Sequence, residues 1–383
     1  MATLKNSISD RARQVYARQL MSTRRQNQLA EFPLTRGIAK RKARKLFDIC
    51  AGFVYSQILK ACVELDLFTL LADTPMAARD IAAKLDLLGD RTERLCDAAV
   101  ALDLLDRRSD GTYIVGEMGA SVIGCPGLVE MVRHHDIFYD DLRDPVALLR
   151  DGEGNTELSR YWTYAAGDAP AGLDAEAVSS YSDLMAATVP PIAEEVLGAY
   201  GFTSDDRLLD IGGGNGAFAS IVARRTPHLS VSTFDLPAVS ALARARFVAD
   251  GLTERADVHE GDFLSDALPS GADVISLVRV LIDLNDGAAL GLLRRVRDAL
   301  PRGGTIVVAE HMSDARGAEP AGDAYFGLYL LAMGRGRPRT PKQICSLLNR
   351  AGFTAVRTIG SARPVFAQVV LGRRKEEESA HEE

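Results

Sequence analysis

The stretch Leu208-Leu209-Asp210-Ile211-Gly212-Gly213-Gly214-Asn215-Gly216 decides the fold. A short apolar run ends in an acid, then in glycines, then in Ala217-Phe218-Ala219-Ser220-Ile221-Val222 with helical spacing. That order predicts a strand, a tight glycine turn and a helix. Glycine lets the backbone turn sharply and leaves bare main chain against which a ligand can lie. The pattern Gly212-x-Gly214-x-x-Ala217 also fits a dinucleotide turn. Alone, the stretch leaves open both a nicotinamide cofactor and another adenosine-containing ligand.

From residue 205 onward, strands and helices alternate. Strands are expected at 207–211, 230–235, 256–259, 273–279, 305–310 and 366–371, and helices at 216–225, 237–250, 286–300 and 341–351. This is the pattern of an α/β, doubly wound Rossmann-like sheet with a late antiparallel strand. Ligands of such sheets sit at the carboxyl ends of the strands. Phe234-Asp235-Leu236-Pro237 puts Asp235 about 20 residues after the glycines, the spacing at which an acid bonds ribose hydroxyls. Glu260-Gly261-Asp262-Phe263 offers an acid and a ring for an adenine. The next two strand ends read Val278-Arg279-Val280 and Val308-Ala309-Glu310-His311. A nicotinamide domain explains the first two ends but does not ask for Gly-Asp-Phe. It also opens with few residues before its glycines, whereas about 200 precede them here.

Those preceding residues carry their own signals. With 383 residues, 47% apolar and 25% charged, the chain falls in the soluble globular class with two or three folding units. Met1 to Asp10 does not read as a signal peptide, and no apolar run is expected to reach the length of a membrane span. Five scattered cysteines, without CxxC or a histidine at metal spacing, predict reduced cytoplasmic thiols and no metal site. The net charge of −7 is uneven: residues 1–45 hold twelve Lys/Arg against Asp10 and Glu31. Such a basic arm suits an anionic surface (lipid headgroups, nucleic acid or an acidic partner) or is a solvated helix.

Phe32-Pro33-Leu34-Thr35 marks a break, and Ile49 to Ala72 predicts a long amphipathic helix suited to a second subunit or a membrane surface. Residues 74–117 read helix, turn, helix, hairpin, a winged-helix pattern. The second helix mixes Asp90, Arg91, Glu93, Arg94 and Asp97, so it reads as a dimerisation scaffold rather than a DNA-reading head, and no nucleic-acid partner is expected. Residues 118–195 are mainly helical. His134-His135-Asp136 is a polar cluster whose adjacent histidines should face different sides of a helix, with one available to a pocket. Trp162, Tyr181 and Met185 are either core or pocket wall, with Tyr181 and Met185 sharing a helix face. Pro190-Pro191 and the segment to Gly201 read as the hinge into the next domain. The expected division is a basic extension at 1–46, a mainly helical winged-helix dimerisation and substrate-roof domain at 47–195, a catalytic domain at 196–373 and a disordered charged tail at 374–383.

As a set, Asp-Ile-Gly-Gly-Gly-Asn-Gly, Phe-Asp-Leu-Pro, Gly-Asp-Phe and the Ala-Glu-His strand resemble the S-adenosylmethionine-dependent O-methyltransferases of the plant caffeate/hydroxyindole type. The winged-helix domain ahead of them matches that family too. The resemblance spans roughly residues 47–373. It implies S-adenosylmethionine as cofactor, with Gly212 and Gly214 at the methionine part, Asp235 at the ribose, Asp262 and Phe263 at the adenine, Arg279 as a basic contact, and Asp210 and Leu236 also binding the cofactor. It also implies a homodimer.

The family places a general-base His after the fourth strand, in His-Asp-Trp-x-Asp. Here Arg279-Val280-Leu281-Ile282-Asp283-Leu284-Asn285-Asp286 puts Ile282 in that position. Glu310 matches one of two carboxylates that flank the His; the other would fall near Pro338 and is absent. The phenol-deprotonating machinery is thus missing. A narrower resemblance accounts for this. Phe32-Pro33-Leu34-Thr35-Arg36, Ala51-Gly52-Phe53-Val54-Tyr55-Ser56-Gln57, Val132-Arg133-His134-His135, Glu157-Leu158-Ser159-Arg160-Tyr161-Trp162 and Tyr329 to Arg339 are similar to the carotenoid (hydroxyneurosporene/demethylspheroidene) O-methyltransferases of purple phototrophic bacteria.

Those enzymes methylate a tertiary hydroxyl at the end of a long polyene. Such an alcohol is far less acidic than a phenol, and its proton can leave late to a modest acceptor. Candidate acceptors are His134 and His135 first, then Glu310 as an orienting carboxylate, Asp283 and His311. Trp162, Tyr181, Met185, Tyr329 and Met333 are expected to line an apolar substrate pocket. A membrane-dissolved carotenoid would also explain the basic arm as a peripheral contact with the inner or intracytoplasmic membrane. The alternatives are a bacteriochlorophyllide or phenolic methyltransferase, and a cofactor-sensing winged-helix regulator without catalysis.

Overall fold

The computed structural model describes residues 2–150, 156–163, 175–203 and 206–376, with the side chains of 2–9, 162–163 and 175–183 outside the description. The side chains of Trp162 and Tyr181, and most of the expected charged tail, therefore lie outside the described residues. The chain divides into two compact units, Met1–Ala120 and Ser121–Glu383.

The first unit opens with helices Ala2–Leu20 and Thr23–Glu31, followed by Pro33–Glu64. The last of these starts well before Ile49, where the apolar periodicity placed it. Proline at the first helical position has a pre-set φ and an N–H that would be unsatisfied anyway, so Phe32-Pro33 begins a helix as well as breaking one. This helix also corrects the expectation about membrane-length segments: it contains an 18-residue window long and apolar enough to cross a bilayer, by length and composition alone. The expectation had looked for an uninterrupted apolar run, which the scattered charges of this helix conceal. Phe47, Ile49 and Phe53 stand exposed along it.

Helices Ala78–Leu85 and Gly89–Ala101 lead to β1 (Leu105–Arg107) and β2 (Tyr113–Val115), paired antiparallel, with Met76 bridging to Tyr113. This is the expected winged-helix order. Its core holds Leu67, Leu71, Ile81, Cys96, Leu105 and Tyr113. Tyr113 donates to Asp97 at 2.7 Å and Arg107 pairs with Asp97 and Glu93, so the acids of the second helix hold the hairpin.

The second unit contains a seven-stranded sheet. Its strands are β3 (Arg207–Ile211), β4 (Ser230–Asp235), β5 (Ala256–Glu260), β6 (Val274–Val278), β7 (Thr305–Glu310), β8 (Phe353–Ile359) and β9 (Gln368–Arg374), in the order β5-β4-β3-β6-β7-β9-β8. The first five are parallel and β9 runs antiparallel to β7, as expected. β8 went unseen in the sequence. Its register shifts between Thr354 and Arg357, and Ala355 sits at φ +49, so the two-residue alternation is broken.

Helix Ala175–Ala199 runs through Pro190-Pro191 and ends just short of Gly201, so the expected hinge is continuous helix over most of its length and a boundary at 195 falls inside a helix. The prolines cost two backbone hydrogen bonds. Burial of Val189, Ile192, Ala193 and Val196 in one cluster with Leu208 and Phe218 holds the helix across the gap. Gly127 of helix Pro126–Asp141 abuts this stretch, since a Cβ there would sit 2.3 Å from the Ala187 carbonyl oxygen.

Candidate functional site

The strand ends of the second unit gather two sets of residues. The first surrounds the glycine turn. Gly212, Gly214 and Gly216 take φ of +68, +58 and +75, which side-chain-bearing residues rarely adopt. A Cβ on Gly212 would lie 2.7 Å from Val280, while one on Gly214 would meet nothing within 4 Å, leaving open main chain there. Asp235 holds the turn by accepting the Gly214 N–H at 2.8 Å and the Leu236 N–H at 2.7 Å. Beneath it, buried Asp210 accepts from the Ser276 hydroxyl at 2.6 Å. Burial, with Asp235 adding to it, pushes the Asp210 carboxyl up to about 7, and burial raises Asp235 as well.

Phe263 faces the same turn, its ring 3.6 Å from where a Gly212 Cβ would be. Asp262 accepts the Leu264 N–H and the Ser265 hydroxyl of its own turn. Arg279, at φ +57, reaches helix Ala175–Ala199, donating to the Thr188 hydroxyl at 2.7 Å and the Met185 carbonyl at 2.9 Å.

The second set surrounds the loop after β6. One oxygen of Glu310 accepts the N–H groups of Val280 and Leu281 at 3.0 and 2.8 Å, and its other oxygen is buried without a partner. Burial first, then Asp283, push Glu310 up to about 8. Burial raises Asp283 to about 6 against the pull of Arg335 and Arg279. Burial and Arg279 lower His311 to about 3, and its ring stacks on Phe326 at 4.0 Å.

From the other side, Arg339 strings the loop together. Its guanidinium donates to the carbonyls of Leu281 and Leu284 and to Asp286. The Arg337 N–H donates to the Ile282 carbonyl, and a Cβ on Gly336 would lie 2.2 Å from that oxygen. Where a second carboxylate was sought near Pro338, the chain has this strap. The sequence marks the Gly-Arg-Gly-Arg-Pro-Arg run as part of the carotenoid-enzyme resemblance and as lacking the second carboxylate, but does not reveal it as a strap.

Ile282 itself is buried among Phe138, Leu158, Tyr329, Leu330, Ala332 and Met333, with Met185, Tyr161, Tyr325 and Phe326 packed against them. His134 and Tyr329 are hydrogen-bonded through Nε2 and the hydroxyl at 2.8 Å, and His135 and Tyr325 likewise at 2.8 Å. The expectation that the two histidines face different sides is thus corrected. Both reach tyrosines on the facing segment, Tyr325 on the π-helix Pro320–Phe326 and Tyr329 on helix Gly327–Met333, whose rings stack at 5.8 Å. Burial lowers His134 to about 4 and lowers His135. The structure therefore unites His134, His135, Met185, Tyr329 and Met333 around Ile282, while Glu310 sits behind the loop. Tyr325 was missed; its i, i+4 spacing to Tyr329 was the available signal.

An O-methyltransferase domain matches residues 139–354, and an O-methyltransferase dimerisation domain matches residues 47–123. The chain is 42% identical over 356 residues to the demethylspheroidene O-methyltransferase of Cereibacter sphaeroides, covering 93% of each. It is 38% identical over 359 residues to the demethylspheroidene O-methyltransferase of Rhodobacter capsulatus, covering 94% of this chain and 89% of that one. Among solved structures it is similar to the S-adenosylmethionine-dependent methyltransferase SibL in its apo form, with TM-score 0.74 and 28% identity, covering 87% of this chain and 99% of that one. It is also similar to human N-acetylserotonin methyltransferase in complex with S-adenosylmethionine, with TM-score 0.71 and 27% identity over 88% and 98% of the two chains.

Proposed function

This chain belongs to the O-methyltransferase family, and we propose that it moves the methyl group of S-adenosylmethionine to a tertiary hydroxyl at the end of a carotenoid, giving a methyl ether. The observation that carries the acceptor is Ile282 buried in an apolar and aromatic cluster where phenol-methylating relatives would hold a base. An aliphatic end group fits such surroundings, and its weakly acidic hydroxyl gains little from a strong base.

The glycine turn suits the cofactor. Its open main chain at Gly214, the acids Asp210 and Asp235 and the nearby Phe263 ring are what an adenosine carrying a cationic amino acid needs. In this reading Gly212 and Gly214 take the methionine part with Asp210 beneath them. Asp235 and Leu236 take the ribose, Asp262 and Phe263 the adenine, and Arg279 closes the strand end. Bound there, the cofactor supplies an electrophilic methyl on a sulfonium. The chain's own work is then to hold the acceptor oxygen in line, where proximity alone can supply roughly 7–11 kcal/mol.

Glu310 orients rather than accepts. With its carboxyl pushed up to about 8 it holds its own proton near neutrality while one oxygen pins the loop. Asp283 lies among arginines on that loop. His134 and His135 are the acceptors that face the aromatic cluster. Met185, Tyr329 and Met333 form the wall for the polyene.

The dimerisation domain supports a homodimer. The basic arm, with twelve Lys/Arg in residues 1–45, would dock on an anionic cytoplasmic leaflet of the inner or intracytoplasmic membrane, each charge contributing about 1 kcal/mol. Incubation with labelled cofactor and a panel of hydroxylated carotenoids, bacteriochlorophyllides and catechols tests the reading. Methyl transfer confined to the carotenoids is expected; transfer confined to either other class would overturn it.

A further inference from the structure

We propose that Tyr329 and His134 pass the acceptor's proton as a pair, the Tyr329 hydroxyl touching the substrate alcohol and the His134 imidazole receiving from Tyr329. This rests on the reading above, in which the acceptor is an aliphatic hydroxyl.

Three observations converge on the pair. Ile282 occupies the base position and moves no proton. Of the buried residues clustered with it (Phe138, Leu158, Tyr329, Leu330, Ala332 and Met333), Tyr329 alone carries a hydrogen-bonding side chain. That hydroxyl lies 2.8 Å from His134 Nε2, and His134 is only half-buried, so a proton arriving there has a way out to water. The proton-handling group has thus moved across the cluster, from the loop after β6 to the helix that faces it.

The step balances as follows. With hydrogen on His134 Nδ1, Tyr329 donates to Nε2 and keeps oxygen lone pairs for the alcohol. As the alcohol oxygen forms its bond to the methyl carbon, the carbon–sulfur bond breaks and its electron pair stays on sulfur, leaving a neutral thioether. The alcohol proton moves to the Tyr329 oxygen while the Tyr329 proton moves to His134 Nε2. Partial burial favours the neutral imidazole, so the imidazolium releases that proton to solvent and the pair resets. His135 and Tyr325 make the same hydrogen bond beside it, but Tyr325 packs against the cluster rather than within it, so the Tyr329–His134 pair is the one that reaches the surroundings of Ile282.

The test uses the full-length enzyme with labelled S-adenosylmethionine and a hydroxylated carotenoid. Tyr329→Phe should lower the single-turnover rate about 100-fold, with KM and cofactor affinity within about threefold. His134→Gln should lower it about 10-fold or more, and the double variant should be no slower than Tyr329→Phe, since the two act as a unit. Two protons in flight should give the unaltered enzyme a bowed proton inventory. A Tyr329→Phe rate within threefold of the parent, multiplicative losses in the double variant, or a linear inventory would each overturn the pair. Retained cofactor affinity certifies that a variant is folded. If Tyr329→Phe loses it, the half-exposed His134→Gln decides alone: a parental rate overturns the pair. No transfer to any carotenoid by the parent would instead overturn the acceptor, and the same variants on whichever acceptor is methylated then decide the pair.

Discussion

The glycine-turn side of the second unit and the side around Ile282 are built by different means. The first is main chain. Positive-φ glycines set its shape, and Asp235 and Asp210 fix it through backbone N–H groups and one serine. Its residues lie within 208–279, on or just after four adjacent strands, β5-β4-β3-β6. The second is side chain. Its members come from helix Pro126–Asp141, the loop after β6, the π-helix, helix Gly327–Met333 and the strap at 334–339. Main-chain geometry demands one ligand and gives little ground; side-chain walls set size, polarity and one proton path, and can be redrawn. Damage on the first side should therefore be close to all-or-none, and on the second graded and substrate-dependent.

The largest effect should follow Asp235→Ala. It removes the proposed ribose acceptor and also releases the Gly214 and Leu236 N–H groups. Charged hydrogen bonds contribute about 1.5–3 kcal/mol each, so calorimetry should show cofactor affinity down about 100-fold or more. Unchanged affinity would remove this side from cofactor binding and erase the contrast.

Next comes the strap. Arg339→Ala strips donors from the carbonyls of Leu281 and Leu284 and leaves Asp286 with Arg337. A buried acceptor left unsatisfied costs about 1–3 kcal/mol, so denaturant unfolding should show about 2–4 kcal/mol lost. If the strap serves only the second side, kcat falls while cofactor affinity stays within about threefold. Equal losses in both would show that the two sides share one loop mechanically.

A smaller and more telling change is Ile282→His. It returns an imidazole to the base position, and the carbonyl bonds of Arg337 and Arg339 hold the backbone there unchanged. Catechol methylation should rise about 10-fold, since general-base help contributes at least that, while carotenoid turnover falls a few-fold as a polar ring enters the apolar wall. Competition between the two acceptors in one tube reads the ratio directly. An unmoved ratio would mean that Ile282 does not select the acceptor.

The same contrast explains what the sequence disclosed. Leu208–Gly216, Asp235 and Gly261-Asp262-Phe263 are contiguous or at fixed spacing, so periodicity and glycine placement expose them. β8 was hidden because the irregularity around Ala355 interrupts the alternation by which strands are found. Pro190-Pro191 misled because the force that keeps that helix whole is burial against distant elements, helix Ala217–Arg225 and β9 among them, which no local rule sees. Arg339 acts on carbonyls more than 50 residues upstream, and carbonyls carry no residue identity to read. Tyr325 sits on a π-turn, so its i, i+4 spacing to Tyr329 was the one signal it offered and no extended helical period framed it.

The smallest effect probes the floor of the glycine turn. Asp210 has its pKa raised from the ordinary 3.8 to about 7, by burial first. A carboxyl raised on folding contributes stability that is fully present below its unfolded pKa and is lost as pH rises through the folded one. The window for Asp210 is therefore about pH 4 to about pH 7, with stability falling across it; Glu310, raised from 4.5 to about 8, slopes the same way. Asp210→Asn keeps an acceptor for the Ser276 hydroxyl but cannot ionise, so its melting temperature should fall less across that window than the parent's. Identical slopes would mean that Asp210 is already ionised at low pH, and that the turn rests on a charge rather than a neutral acid. That would bring the main-chain side closer in kind to the charged loop of Asp283, Arg279 and Arg335, and would blur the contrast at its base.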